Sequence, residues 1–225
     1  MFYYYLLLKY PQIEILQVST KPNEDLIAGL LWCRILDKMI ISWTFYDQVF
    51  MDTIRKIAFG GGCHWCTEAV LLSLKGVNAV EQGFIAAKEP ASSFSEAVIV
   101  SYDEDQISLK ELIAVHLNTH NSTADHSLRT KYRSAVYVFE VREITEVKEI
   151  LTSLQNDFVD PLITQILQYV DFKPSEVQFH NYYYSNPEKP FCETYIVPKL
   201  NKISQDFSNL LDLKKVNRYP LSSQK

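Results

Sequence analysis

The sequence predicts an α+β fold, and three observations carry the prediction. Short apolar runs are set apart by glycine, proline and polar residues. Longer stretches with apolar residues at helical spacing fall between them. The two kinds of segment follow one another as β-α-β-β-α-β. That order is the split unit of ferredoxin-like folds, so the expected architecture is a two-layer α/β sandwich with an extra helix and strand.

Taken in order, Lys56–Phe59 is a short apolar strand. His64–Leu74 places Ala69, Val70, Leu72 and Leu74 among polar residues, a helix that Lys75-Gly76 stops. Val77–Ala86 and Glu96–Tyr102 read as strands, with a loop at 87–93 that contains Pro90. Ser108 with Glu111 three residues on forms a capping box that opens a helix over Leu109–Thr119. A polar loop, 121–131, leads to a strand over Ser134–Phe139. The third helix runs from Arg142 to about Phe158, with Ile144, Val147, Ile150, Leu151 and Leu154 on one face. Ile166–Phe172 is a further strand, followed by the Tyr-rich segment Phe179–Tyr184 and a proline-punctuated tail.

Domain organisation follows from a change of texture. Residues 1–50 are rich in Tyr, Leu, Ile and Trp without a sustained period, and Met51-Asp52 begins the regular pattern. Residues 1–50 are therefore read as an N-terminal extension, 51–200 as the catalytic domain, and 201–225 as a final helix and polar tail. Phe2–Leu8 is apolar but lacks the basic flank and cleavage site of a leader. Arg34, Asp37 and Lys38 interrupt the apolar stretch Leu26–Phe45, so no membrane span is expected. The net charge of −5 argues against broad nucleic-acid binding. Four cysteines, at 33, 63, 66 and 192, are too few for a disulfide scaffold and fit a reducing, cytoplasmic setting. A monomer is the expectation.

The chemistry concentrates in Gly60-Gly61-Gly62-Cys63-His64-Trp65-Cys66, between the first strand and the first helix. Glycines here let the backbone approach a substrate closely. Cys63 falls at or just before a helix N-terminus, where free N–H groups favour an anion. A thiol there loses its proton below the ordinary value of about 8.5. The layout points to a nucleophilic cysteine.

The segment Gly61–Ala69 resembles the signature of type A peptide methionine sulfoxide reductases, whose usual form is Gly-Cys-Phe-Trp-Cys. The resemblance continues through Leu74-Lys75-Gly76-Val77, Val80–Phe84, Glu96-Ala97-Val98, Thr130–Ala135, Phe179-His180-Asn181 and Asn186-Pro187 before Phe191-Cys192. It spans about residues 55–200. It implies that Cys63 attacks the sulfur of methionine S-sulfoxide and is left as a sulfenic acid. It implies that Glu96 is the proton donor, a role that a carboxyl raised by desolvation suits. Tyr132 would bond the sulfoxide oxygen, and Trp65, with His64 in the usual Phe place, would wall the methyl pocket. Cys192 would resolve the sulfenic acid from a flexible, proline-bounded tail, with Cys66 as the alternative. The family uses neither metal nor bound cofactor. Its implied partners are thioredoxin or a similar dithiol and, as substrates, oxidised proteins, peptides or free methionine sulfoxide.

The pattern departs from the family at several points. Phe84 stands where a second tyrosine is usual, Phe94 where a histidine is, and Phe191 where a tyrosine is. The loop 120–127 is short, so the acidic place in the substrate pocket either falls to Asp125 or is lost. Three rival readings remain open. Cys63-x-x-Cys66 with His116 and His120 has ligand-like spacings for zinc. Strand–Cys-x-x-Cys–helix also suits a thioredoxin-like dithiol oxidoreductase. The apolar substitutions suit a relic that binds oxidised methionine without turnover. His180 reads as a structural hydrogen-bonding residue.

Overall fold

The structure, a computed structural model, describes residues 54–216. The predicted extension 1–50 and the end of the predicted tail lie outside the described residues. Strand β1 (Ile54–Gly60) leads to α1 (His64–Leu72), β2 (Val77–Ala87), β3 (Ser95–Asp103), α2 (Leu109–Thr119) and β4 (Ala135–Val138). Then come α3 (Glu143–Leu154), β5 (Gln165–Pro174) and the single-turn α4 (Tyr182–Ser185). A π-helical turn, Cys192–Ile196, runs straight into α5 (Val197–Asp206), and α6 (Leu213–Val216) comes last. Helix α5 passes through the position where the sequence suggests a boundary at 200.

The capping box forms as predicted. Glu111 N–H donates to Ser108 Oγ at 3.3 Å, and Ser108 N–H donates to Glu111 Oε2 at 2.9 Å. Helix α1 stops at Leu72 instead of Leu74. The Ser73 hydroxyl donates to the Val70 carbonyl at 2.6 Å, and Leu74 leaves the helix to bridge to Leu211.

The sheet corrects the expected two-layer sandwich. Strands β4, β1, β3 and β2 lie side by side, each antiparallel to its neighbour. Strand β5 then closes the row into a barrel by serving two neighbours. Its first half pairs in parallel with β4, from Ala135↔Gln165 to Val138↔Gln168. Its second half pairs antiparallel with β2, from Ala87↔Tyr169 to Gly83↔Pro174. The register shifts between Ala86 and Ala87. A bulge of this kind bends a strand and raises its twist, which is what closure needs.

Alternation along the strands makes two cores. Ile57, Phe59, Val98, Val100, Val136 and Val138 face outward under α1, α2 and α3. Ala58, Ala97, Ala135 and Ala87 face the inside with Ile85, Ile99 and Tyr137. Small side chains on the concave face let a five-strand ring close without overfilling its interior. Replacing Ala58 with Leu overpacks that interior. Urea denaturation is expected to show a loss of about 1–3 kcal/mol relative to the parent protein. An unchanged midpoint would mean that the ring has room to spare.

Candidate active site

The turn between β1 and α1 is held from behind by two histidines. His116 Nε2 sits 3.0 Å from the Gly60 carbonyl, which can only accept, so that nitrogen carries the proton. His120 Nδ1 sits 2.7 Å from the His116 carbonyl and is a donor by the same logic. His120 Nε2 then accepts from the Ser134 hydroxyl at 2.8 Å, which in turn takes a proton from Thr164. The two rings stack at 4.1 Å. Burial holds His116 well below its ordinary value and His120 at about 4, so both are neutral. Both are engaged in structural bonds, and among the described residues no cluster of His, Cys, Asp and Glu has metal-binding geometry.

This packing explains two of the three glycines. A Cβ on Gly60 would lie 2.7 Å from the Arg133 carbonyl, and one on Gly61 would lie 2.4 Å from the His120 ring. Only Gly62 has open space around it, so only Gly62 meets the expectation of close substrate approach. Arg129 adds a second clamp, donating to the carbonyls of Gly61 at 3.4 Å and Tyr132 at 3.2 Å.

Cys63 is the N-cap residue of α1. Its thiol is brought down to about 7, first by the Cys66 thiol, which donates toward it. Burial opposes the shift, and the amides of Cys66 and Trp65 assist it. Cys66 is pushed up correspondingly, because it keeps the proton that Cys63 gives up. A buried ammonium that sequence reasoning missed, Lys199 of α5, favours the thiolates of both. It donates to the Thr119 carbonyl and lines a small cavity with Gly62, Cys63, Cys66, Thr67 and His120.

Glu96 enters from the start of β3 and is only 7% exposed. The His64 amide donates to Glu96 Oε2 at 3.2 Å. The His64 ring Nδ1 lies 3.1 Å from the same oxygen, at ion-pair distance but off the hydrogen-bond direction. Lys131 Nζ is 3.5 Å from Oε1. Burial pushes the carboxyl up, but His64 and then Lys131 outweigh it and hold Glu96 below its ordinary value. The sequence argument for a raised carboxyl is thus corrected. Its premise of burial holds, and its conclusion fails because a histidine stands where the family has phenylalanine.

The remaining predicted residues fall into three groups. Trp65, His64 and Phe84 come together: the His64 ring meets Phe84 edge-on at 5.4 Å and Trp65 at 5.9 Å. Trp65 also stacks on Tyr182 at 4.2 Å and meets Phe191 edge-on at 5.3 Å. Tyr132 is half-buried beside the pocket, with Lys131 Nζ 4.9 Å from its ring centre. Asp125 is exposed, and its charge acts on Arg129. Cys192 is fully buried, and its thiol donates to the Asn186 carbonyl at 3.7 Å. It sits in the π-helical turn, not on a flexible tail. Phe94 lies under Lys173 Nζ at 3.9 Å. His180 bonds the Ser175 carbonyl at 2.9 Å, as a structural residue would.

Glu68 is the other residue that sequence reasoning passed over. It is buried in α1 and accepts from the amides of Asn181 at 2.8 Å and Tyr182 at 3.1 Å, and from the Gln82 side chain at 3.0 Å. These bonds fix Tyr182 against Trp65. The available signal was a lone carboxylate between Cys66 and the apolar Ala69-Val70-Leu71.

Alkylation of the reduced protein by iodoacetamide is expected to give a Cys63 rate profile with a midpoint at about 7. Cys66→Ala removes the largest cause of that value, so the midpoint is expected to move up. A midpoint unchanged by Cys66→Ala would show that the helix amides alone activate the thiol.

Comparison with known proteins gives one consistent result. Residues 55–211 match the sequence model of the family described as peptide methionine sulfoxide reductase. A peptide methionine sulfoxide reductase MsrA from Acinetobacter baumannii (strain AYE) is 30% identical over 172 residues, covering 70% of this chain and 99% of that protein. An MsrA from Trichodesmium erythraeum (strain IMS101) is 32% identical over 173 residues, covering 70% and 96%. The reduced form of Mxr1 from Saccharomyces cerevisiae shares the fold, with a TM-score of 0.55 at 22% identity over 64% of this chain and 92% of that one. Methionine sulfoxide reductase A of Corynebacterium diphtheriae shares it with a TM-score of 0.52 at 21% identity, over 60% and 76%. The matched span takes in the glycine turn, both helix-start cysteines and Glu96, and the chain belongs to the peptide methionine sulfoxide reductase family.

Proposed function

We propose that this protein reduces methionine sulfoxide, free or in polypeptides, to methionine with electrons from an external dithiol, and that it acts on the S epimer. The observation that carries the reading is the lowered Cys63 thiol at the N-cap of α1, one residue from the amide that holds Glu96. A thiolate is the nucleophile that sulfoxide sulfur requires.

The thiolate of Cys63 attacks the sulfoxide sulfur. Two electrons pass to that sulfur, its oxygen passes to Cys63 with one proton, and methionine leaves behind a Cys63 sulfenic acid. The sulfoxide oxygen takes that proton from the side of Glu96. Trp65, braced by Tyr182 and Phe191, supplies the flat apolar surface for the methyl group. Tyr132 supplies a hydroxyl for the oxygen from the segment ahead of β4.

A thiol then displaces hydroxide from the sulfenic acid and releases water. Cys66 is close enough for this, since its thiol acts directly on Cys63 from the first turn of the same helix, while also lying 3.9 Å from the Tyr195 carbonyl. Cys192 needs its helical turn to open first, because it is buried in the core. We assign the first disulfide to Cys63–Cys66 and leave Cys192 a later exchange step. Thioredoxin or a similar dithiol regenerates the pair. Among the described residues Cys63, Cys66 and Cys192 are all free thiols, the state in which this cycle starts in a reducing compartment.

The test is turnover of the purified protein on each epimer of a methionine sulfoxide peptide, with dithiothreitol as reductant. Loss of the S epimer alone is expected, abolished in Cys63→Ser and slowed about 10²-fold or more in Glu96→Gln. Cys66→Ser is expected to keep one turnover per molecule and lose the first disulfide, read by mass. Disulfide exchange that survives Glu96→Gln, with no sulfoxide turnover in the parent protein, would overturn the reductase reading in favour of a dithiol oxidoreductase.

A further inference from the structure

We propose that His64 and Glu96 together hold the proton that the sulfoxide oxygen receives. The inference rests on the reductase reading above and concerns a residue at which this chain departs from the family pattern. In that pattern the place is a phenylalanine, and the carboxyl alone serves.

The geometry carries the argument. His64 and Glu96 are 6% and 7% exposed, and their ring nitrogen and carboxylate oxygen are 3.1 Å apart. The His64 backbone amide donates to the same oxygen, which leaves that oxygen an acceptor on two sides. Nδ1 of His64 is buried with no hydrogen-bond partner of good geometry in the resting site. A buried imidazole beside a buried carboxylate is stable when the two share one proton, since the charged and neutral arrangements then differ only by its position.

The titratable groups that face the pair are the Cys63 thiol from the same turn and Lys131 from the segment ahead of β4. Strand β2 contributes only the apolar edge of Phe84, and Lys173 beyond it is occupied over Phe94. Lys131 favours the carboxylate. The net lowering of Glu96 agrees with this arrangement.

The proton balance closes around the cycle. Thiolate, sulfoxide and the proton of the pair give sulfenic acid and methionine. Condensation with the Cys66 thiol releases water and needs no further proton. The external dithiol then returns two protons with its two electrons, one to Cys66 and one to the His64–Glu96 pair.

The experiment is the pH profile of kcat/KM on the S epimer for the parent protein, His64→Phe and His64→Gln. A proton-holding role predicts that both variants move the alkaline limb about one pH unit or more toward acid, with kcat at pH 8 down about tenfold and KM within about threefold. It also predicts a larger shift for Gln than for Phe, because an amide donor stabilises the carboxylate without carrying a transferable proton. A structural role predicts the reverse, with Gln restoring the parent profile, and that result would overturn the proposal. A second readout does not depend on turnover. In NMR titration of the unmodified protein, the His64 Cε1–H and Glu96 carboxyl resonances are expected to respond to the same alkaline step. A step seen at His64 alone would sink the shared proton, whereas absent turnover with a shared step would sink only the reductase reading.

Discussion

The site depends on how closely the backbone of Gly60 and Gly61 approaches its neighbours. The His116 N–H bond to the Gly60 carbonyl and the face of His120 against Gly61 fix where β1 ends and α1 begins. A side chain at either glycine would push the turn away from Arg133 or His120, because a Cβ there would lie 2.7 Å and 2.4 Å from them, closer than real Cβ atoms approach. The N-cap position of Cys63, the amides beneath it and the direction of the His64 amide toward Glu96 all follow from that seat. Neutral histidines suit the task. They supply a donor and a flat face without bringing charge beside a thiol that must ionise.

Much of this was legible in the sequence, for reasons that differ by residue. The strand–glycine–helix junction and the Ser108–Glu111 box are local, and local chemistry is what a sequence displays. Cys63, Trp65 and Glu96 could be marked because their neighbours in the chain form recognisable blocks. Glu68, Arg129 and Lys199 could not, since each acts on backbone or thiol groups far away in sequence. Barrel closure was hidden for a similar reason. Strand β5 looks like any half-buried strand, and nothing in its residues says that its two halves serve different neighbours. Asp125 and Cys192 show what a motif leaves unsaid. Their positions were read from a pattern, and the fold leaves one at the surface and buries the other.

The electrostatics of the pocket divide into two compartments. On one side Cys63, Cys66 and Lys199 share charge so that one thiol ionises near neutrality while its neighbour keeps its proton. On the other, His64 and Lys131 hold the Glu96 carboxyl below its ordinary value against a burial that pushes it up. The two meet at the single turn Cys63-His64, where adjacent side chains face different partners. Because the Glu96 charge also raises Cys63, the residue at position 64 bears on both sides of the pocket.

The closed sheet has a consequence for the company this protein keeps. Among the described residues every strand of the ring has a partner on both sides, although β1 meets β4 only over its last three residues and β2 meets β5 only over its last five, so the open borders are confined to residues 54–57 and 77–82. Oxidised proteins are often partly unfolded, and loose segments add themselves to open sheet borders. The ring leaves such segments only these two short borders for backbone pairing. Contact with a damaged client then falls mainly to side-chain recognition around the pocket, and release that does not undo a long strand pairing is correspondingly easy.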